Sequence, residues 1–180
     1  FLIFRILGYK SASNLGFYFG KTFGNIFRKK SSIIKNLHKS KISTTISDEK
    51  FASNILGNYG RILAEYPYLK DFRKNRLQKF IEIDGMENLS QIKDNNKPVV
   101  FISGHFNNFE LMAMQIEKSG INLAAIYRPL NNIFLNKIME NIRTNYICKN
   151  QIRKGRSGTR QILENLKKGN SIALMIDQRV

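Results

Sequence analysis

His105 and Glu110 stand five residues apart in "HFNNFE". The segment follows "PVVFIS", residues 98–103, an apolar run that reads as a buried strand. A carboxylate on one nitrogen of an imidazole fixes its tautomer and leaves the other nitrogen as a general base. That chemistry suits deprotonation of a hydroxyl. On one continuous helix, five residues turn the chain by about 500°, so the two side chains would point roughly 140° apart. They can meet only if His105 lies in a loop and folds back over the first turn of a helix starting near Asn107. Asn107 and Asn108 are read as caps of that helix. Its free N–H groups could then receive an anion or a developing oxyanion. The competing reading is a structural His/Glu pair that opens a helix.

The elements around this segment follow a regular order. Strands are expected at 99–103, 123–127, 146–148 and 172–176, with amphipathic helices at 107–118, 132–143 and 159–168 between them. This alternation indicates βαβ units, and hence an α/β fold with a mainly parallel central sheet flanked by helices. A parallel sheet places its ligands at the carboxyl ends of its strands, where His105 falls. Upstream, "KFIEI" at 79–83 alternates like a strand, and residues 86–93 read as a short helix. Ser47 reads as the cap of a helix carrying Phe51, Ile55, Tyr59, Ile62 and Tyr66, which Pro67 ends. Residues 29–41 read as a polar, basic connector, and "RKGRSG" as a loop.

Residues 1–27 are apolar and aromatic but are interrupted by Arg5, Lys10 and Lys21, which makes a poor membrane span. There is no small-residue cleavage site of the signal-peptide kind. Gly8, Ala12, Gly16, Gly20 and Gly24 recur every fourth residue, a ridge that admits another helix closely. A helix of this composition fits a membrane-surface anchor, and equally an ordinary core helix. The division expected is a membrane-associating region over 1–45 and an α/β domain over 46–180, incomplete at its C-terminal end.

The composition narrows the function. The 180 residues, 42% hydrophobic with 13 Phe, support a packed core. The single cysteine, Cys148, allows neither an internal disulfide nor a cysteine zinc cluster, and two histidines make no histidine-rich metal site. No G-x-S-x-G elbow, P-loop or G-x-G-x-x-G occurs. The net charge is +17, and no acid precedes Asp48. Such a charge suits an anionic partner such as nucleic acid, a phospholipid surface or an acidic protein. Codon drift towards lysine is the bland account of part of it.

Three blocks carry a resemblance: "VVFISGHFNNFELMA", "AAIYRPLNN" and "GRSGTRQILENLKKGNSIALMIDQ". In order and separation they resemble the late (lauroyl/myristoyl) acyltransferases of lipid A biosynthesis, through most of the chain. The resemblance implies a glycerolipid-acyltransferase-like fold. It also implies transfer of a fatty acyl group from acyl carrier protein, or coenzyme A, to a hydroxyl on a Kdo-bearing lipid A precursor. No other cofactor and no metal is implied. The implied partners are the carrier, the anionic glycolipid and a membrane surface. The implied location is the bacterial inner membrane, with the site on the cytoplasmic side. His105 matches the family's general base and Glu110 the residue that orients it. Arg128 matches a basic residue of the substrate site, and Asp177 and Gln178 match its "DQ". Arg156 and Arg160, beside a glycine loop, are further candidates for phosphates or the carrier's acidic surface. The alternatives are an acyltransferase acting on another glycolipid or phospholipid, a basic nucleic-acid-binding protein, and a non-catalytic scaffold. Most aromatics fall at core spacing or in the first segment, which disfavours nucleic acid.

Overall fold

The computed structural model describes residues 2–177. The chain divides into two compact units, the first running to Tyr68 and the second beginning at Leu69.

The first unit is helical. A short α1 (Leu2–Ile6) precedes α2 (Tyr9–Phe27), followed by α3 (Lys30–Ser40) and α4 (Asp48–Glu65). Gly8, at φ 77°, separates α1 from α2. The small-residue ridge of α2 packs on α4. A Cβ on Gly16 would meet Ala64 Cβ, one on Gly24 would meet Leu56 Cβ, and Gly60 of α4 returns the contact to Gly16 and Gly20. Closeness of this kind is possible only because the crossing residues have no side chain. The ridge therefore serves the protein's own helix pair, while Tyr18, Phe19, Ile26 and Phe27 on other faces of α2 stay exposed. Ser47 caps α4 by accepting from the Lys50 N–H at 3.4 Å. Buried Glu65 accepts from the Ser13 hydroxyl at 2.6 Å. Burial, and then the charge of Glu65, push the Tyr9 phenol up to about 12. Among the described residues no helix is long and apolar enough to cross a membrane.

Two readings change here. Residues 30–40 are a helix and not a connector, because Ile33 and Leu37, four apart, are buried, and Ile33 packs with Ala52 and Leu56 of α4. The helix with Phe51 and Ile55 belongs by packing to the first unit, so the units part after Tyr68 and not near residue 45.

The second unit is α/β, as expected. After α5 (Leu69–Arg73) and α6 (Met86–Asn95) come β1 (Val100–Ser103), α7 (Glu110–Lys118), β2 (Leu123–Tyr127), α8 (Ile133–Ile142), β3 (Asn150–Arg153), α9 (Arg156–Lys167) and β4 (Ser171–Met175). The four strands are parallel, in the order β1-β4-β2-β3. Ala124, Ile152 and Ile172 from three strands form a core cluster that Ile162 and Leu166 of α9 cover. Each large aliphatic side chain fully buried in this way is worth about 1.5–3 kcal/mol.

Three boundaries differ from the sequence reading. The "KFIEI" segment opens on a 3₁₀ turn, Gln78–Phe80, and residues 81–83 join no sheet among the described residues. "Tyr-Ile-Cys" is not a strand. A π turn, Arg143–Ile147, continues α8, closed by Cys148 N–H to Arg143 O at 3.0 Å, and the strand comes later as β3. A three-residue apolar run has no period that separates a strand from a buried helix end. Finally, α9 starts at Arg156, inside the expected loop. Gly158 is buried against the Arg153 carbonyl, where a Cβ would clash, so the turn from β3 can be short.

Candidate active site

The strand register builds the site. Ser103 of β1 is paired with Met175 of β4. Two residues beyond each partner lie His105 and Asp177, side by side at the carboxyl edge of the sheet. The His105 backbone N–H donates to Asp177 Oδ2 at 3.0 Å, and His105 Nδ1 lies 2.8 Å from Asp177 Oδ1. A carboxylate only accepts, so Nδ1 carries the hydrogen, and in the neutral ring Nε2 holds the lone pair. Nε2 makes no hydrogen bond among the described residues. Phe109 stacks edge-on against the ring at 4.6 Å. The imidazole is thus clamped on one side and bare at the nitrogen a base would use. Asp177 is held below the usual carboxylate range, first by the His105 N–H and further by the ring, against the opposing effect of partial burial.

Glu110 does not hold this ring. It is the first residue of α7 and points into the protein, where Arg143 Nε and Nη2 donate to its Oε1 at 2.8 and 2.6 Å. Their side chains are 6% and 13% exposed, so this is a buried ion pair. The orientation expected of Glu110 is supplied by Asp177. The reason is topological: adjacent parallel strands bring position 177 to position 105, while the first turn of α7 carries Glu110 inward.

The asparagines do not cap. The N-cap of α7 is Phe109, with no side-chain cap hydrogen bond. Asn107 instead takes a left-handed conformation, φ 42°, that turns the chain into α7. The amides of Phe109, Leu111 and Met112 are taken by the carbonyls of Asn107, Asn108 and Phe109, so they do not form an open anion nest.

Arg128 stands one residue past the end of β2, exposed, with no ion pair among the described residues. Arg156 is exposed at the start of α9, while Arg160 is engaged by Glu164 at 2.9 Å, a helical i,i+4 pair. Gln178 lies outside the described residues. His105, Asp177 and Arg128 thus share one sheet edge, to which Glu110 contributes only from behind.

Arg143 had no signal in the linear sequence beyond being one more base at the end of a helix. Nor did the Tyr127, Glu140 and Arg153 cluster, in which the Tyr127 hydroxyl donates to Glu140 and Arg153 Nη2 donates to Glu140 at 3.1 Å. The Tyr127 hydrogen bond, then that of Asn136, holds the Glu140 carboxyl below its ordinary value. Among the described residues no three His, Cys, Asp or Glu side chains converge as a metal site would require.

Comparison with known proteins adds an independent finding. The family model for bacterial lipid A biosynthesis acyltransferase matches residues 1–180. A lipid A biosynthesis palmitoleoyltransferase of Escherichia coli (strain K12) is 28% identical over 131 residues, which is 72% of this chain and 41% of that protein. A lipid A biosynthesis acyltransferase of Shigella flexneri is similar to the same extent, 28% over 131 residues. The match therefore spans less than half the length of these relatives, 41% of each.

Proposed function

We propose, from the premise that this chain belongs to the bacterial lipid A biosynthesis acyltransferase family, that it carries the catalytic edge of a membrane-associated O-acyltransferase. The reaction moves a fatty acyl group from acyl carrier protein to a hydroxyl of a lipid A precursor. The observation that supports this reading most is His105, clamped at Nδ1 by Asp177 and bare at Nε2.

The chemistry runs on those atoms. Nε2 of His105 accepts the proton of the acceptor hydroxyl. The oxygen attacks the thioester carbonyl, and the resulting tetrahedral oxyanion collapses with rupture of the C–S bond. The imidazolium returns its proton to the departing sulfur, so the enzyme ends as it began. Asp177 stabilises the transient imidazolium and keeps Nδ1 protonated throughout. Arg128 offers an unpaired guanidinium to a phosphate of either substrate, a geometry arginine serves well. The exposed apolar and basic side chains of α1 and α2, among them Ile3, Phe19, Phe27 and Lys10, suit the interface of an anionic bilayer.

The test uses the full-length protein with acyl-acyl carrier protein and a Kdo-bearing lipid A precursor, following product mass. The expected product is heavier by one acyl group, and His105→Ala abolishes it. Acyl gain by a different glycolipid alone would move the acceptor and keep the reaction. No gain with any acceptor would remove the acyltransferase assignment.

A further inference from the structure

Helix α8 leaves the apolar side chains of its first turns exposed, although Met139 and Ile142 are half-buried. Its half-buried positions include Asn136 and Glu140, while Ile133 and Phe134 are 81% and 83% exposed and Leu135 and Ile138 are exposed beside them. This exposure is held in place. The Asn132 side chain caps Leu135 N–H at 3.0 Å, and Asn136 Oδ1 accepts the Leu130 N–H at 2.8 Å, fixing the loop to the first turn. Glu140 is engaged by Tyr127 and Arg153 on the inner side.

The start of α8 belongs to the same sheet edge as His105 and Asp177, because β2 neighbours β4 and all the strands are parallel. Phe106, one residue after His105, and Ile176, one before Asp177, are also exposed, as is Leu130. Five large exposed apolar side chains, Phe106, Leu130, Ile133, Phe134 and Ile176, therefore follow the carboxyl ends of three neighbouring strands, two of them opening α8. Arg128, Lys137 and Lys154 stand on or beside these loops, exposed and without an ion pair among the described residues. The acids nearest this rim, Asp177 and Glu140, are both occupied.

An apolar rim set among unpaired cations matches the boundary between acyl chains and anionic headgroups. We infer that the first turn of α8, with Leu130 and Phe106, is a bilayer-contacting rim that seats the His105 edge on an anionic phospholipid surface. It is distinct from the contact proposed for α1 and α2. The inference rests on reading this edge as the site of acyl transfer to a lipid. It adds where the second unit meets that lipid's environment: the acceptor hydroxyl reaches Nε2 from the membrane side, over the Ile133 and Phe134 turn.

The test is a positional label. Cys148 is 1% exposed, and burial pushes its thiol up to about 11, so it can stay in place. In the full chain, Phe134→Cys is labelled with an environment-sensitive maleimide dye, and Lys167→Cys on α9 serves as control. Vesicles of phosphatidylethanolamine with phosphatidylglycerol are added, or phosphatidylcholine vesicles. The expected result is a blue shift at position 134 with anionic vesicles, little with neutral ones, and none at position 167. Lys137→Glu should weaken the shift. Vesicle binding without a shift at 134 would overturn the inference. So would a shift caused by an acidic acyl carrier protein but not by vesicles, which would make the rim a protein interface. Acyl transfer measured on the same samples separates the two ideas. Transfer without the shift sinks only the rim, and the shift without transfer supports the rim while sinking the proposed reaction.

Discussion

Asp177 grips His105 twice, at the backbone N–H and at Nδ1, across 72 residues of sequence. One carboxylate therefore fixes both the position of the loop and the tautomer of the ring. Asp177→Ala should lower kcat by roughly 10²–10⁴-fold, the usual worth of a positioned general base, with KM little changed. Steady-state kinetics with acyl-acyl carrier protein will decide. Full activity in that variant would mean that another group orients the ring.

The same pair gives a pH dependence of stability. The Asp177 pKa is depressed in the folded protein, so its stabilisation is complete above the unfolded carboxyl value, about 3.9, and fades as pH falls through the folded value. The difference in unfolding free energy between the wild type and Asp177→Asn should shrink as pH falls below about 4, where the wild-type carboxyl takes up its proton. Urea melts from about pH 5 downwards measure it. A difference that grew below about pH 4 would have the wrong sign.

Glu110 and Arg143 predict a stability effect first. Removing one partner of a buried ion pair strands the other charge and costs about 3–5 kcal/mol. Arg143→Ala and Glu110→Ala should each show that loss in denaturant melts, whereas Glu110→Gln with Arg143→Met should recover most of it. If Glu110→Gln instead leaves the fold intact and abolishes transfer, Glu110 acts on the reaction directly.

Gly60 tests the helix pair of the first unit. On an exposed helix face, Gly→Ala gains about 1 kcal/mol. Here the new methyl would meet the Gly16 backbone, which cannot rotate away, so Gly60→Ala should destabilise by about 1–3 kcal/mol. A rise in melting temperature would show that α2 and α4 are not so close.

Arg128 should act on binding more than on rate. Loss of a charge-assisted hydrogen bond worth about 1.5–3 kcal/mol corresponds to a KM higher by roughly 10–100-fold in Arg128→Ala. Arg128→Lys should restore part of it. An unchanged KM for both substrates would leave Arg128 as a solvated surface charge.

Much of this protein was legible in one dimension. The four-residue spacing of Gly16, Gly20 and Gly24 marks a close helix contact, because helical periodicity is local. Val100–Ser103 and Leu123–Tyr127 announce strands by their apolar runs, although β1 is not the buried strand expected, since Val100 and Ile102 are exposed, and the family motifs contain His105, Arg128 and Asp177. What the tertiary structure alone decided is which carboxylate His105 meets. Spacing favours Glu110, five residues away, but a helix start and a strand end diverge within that distance. Strand order is set by how all four strands bury their faces together, and it lays β4 beside β1. That non-local pairing delivers Asp177 to the ring and leaves Glu110 to Arg143, whose π turn no local pattern distinguishes from a strand.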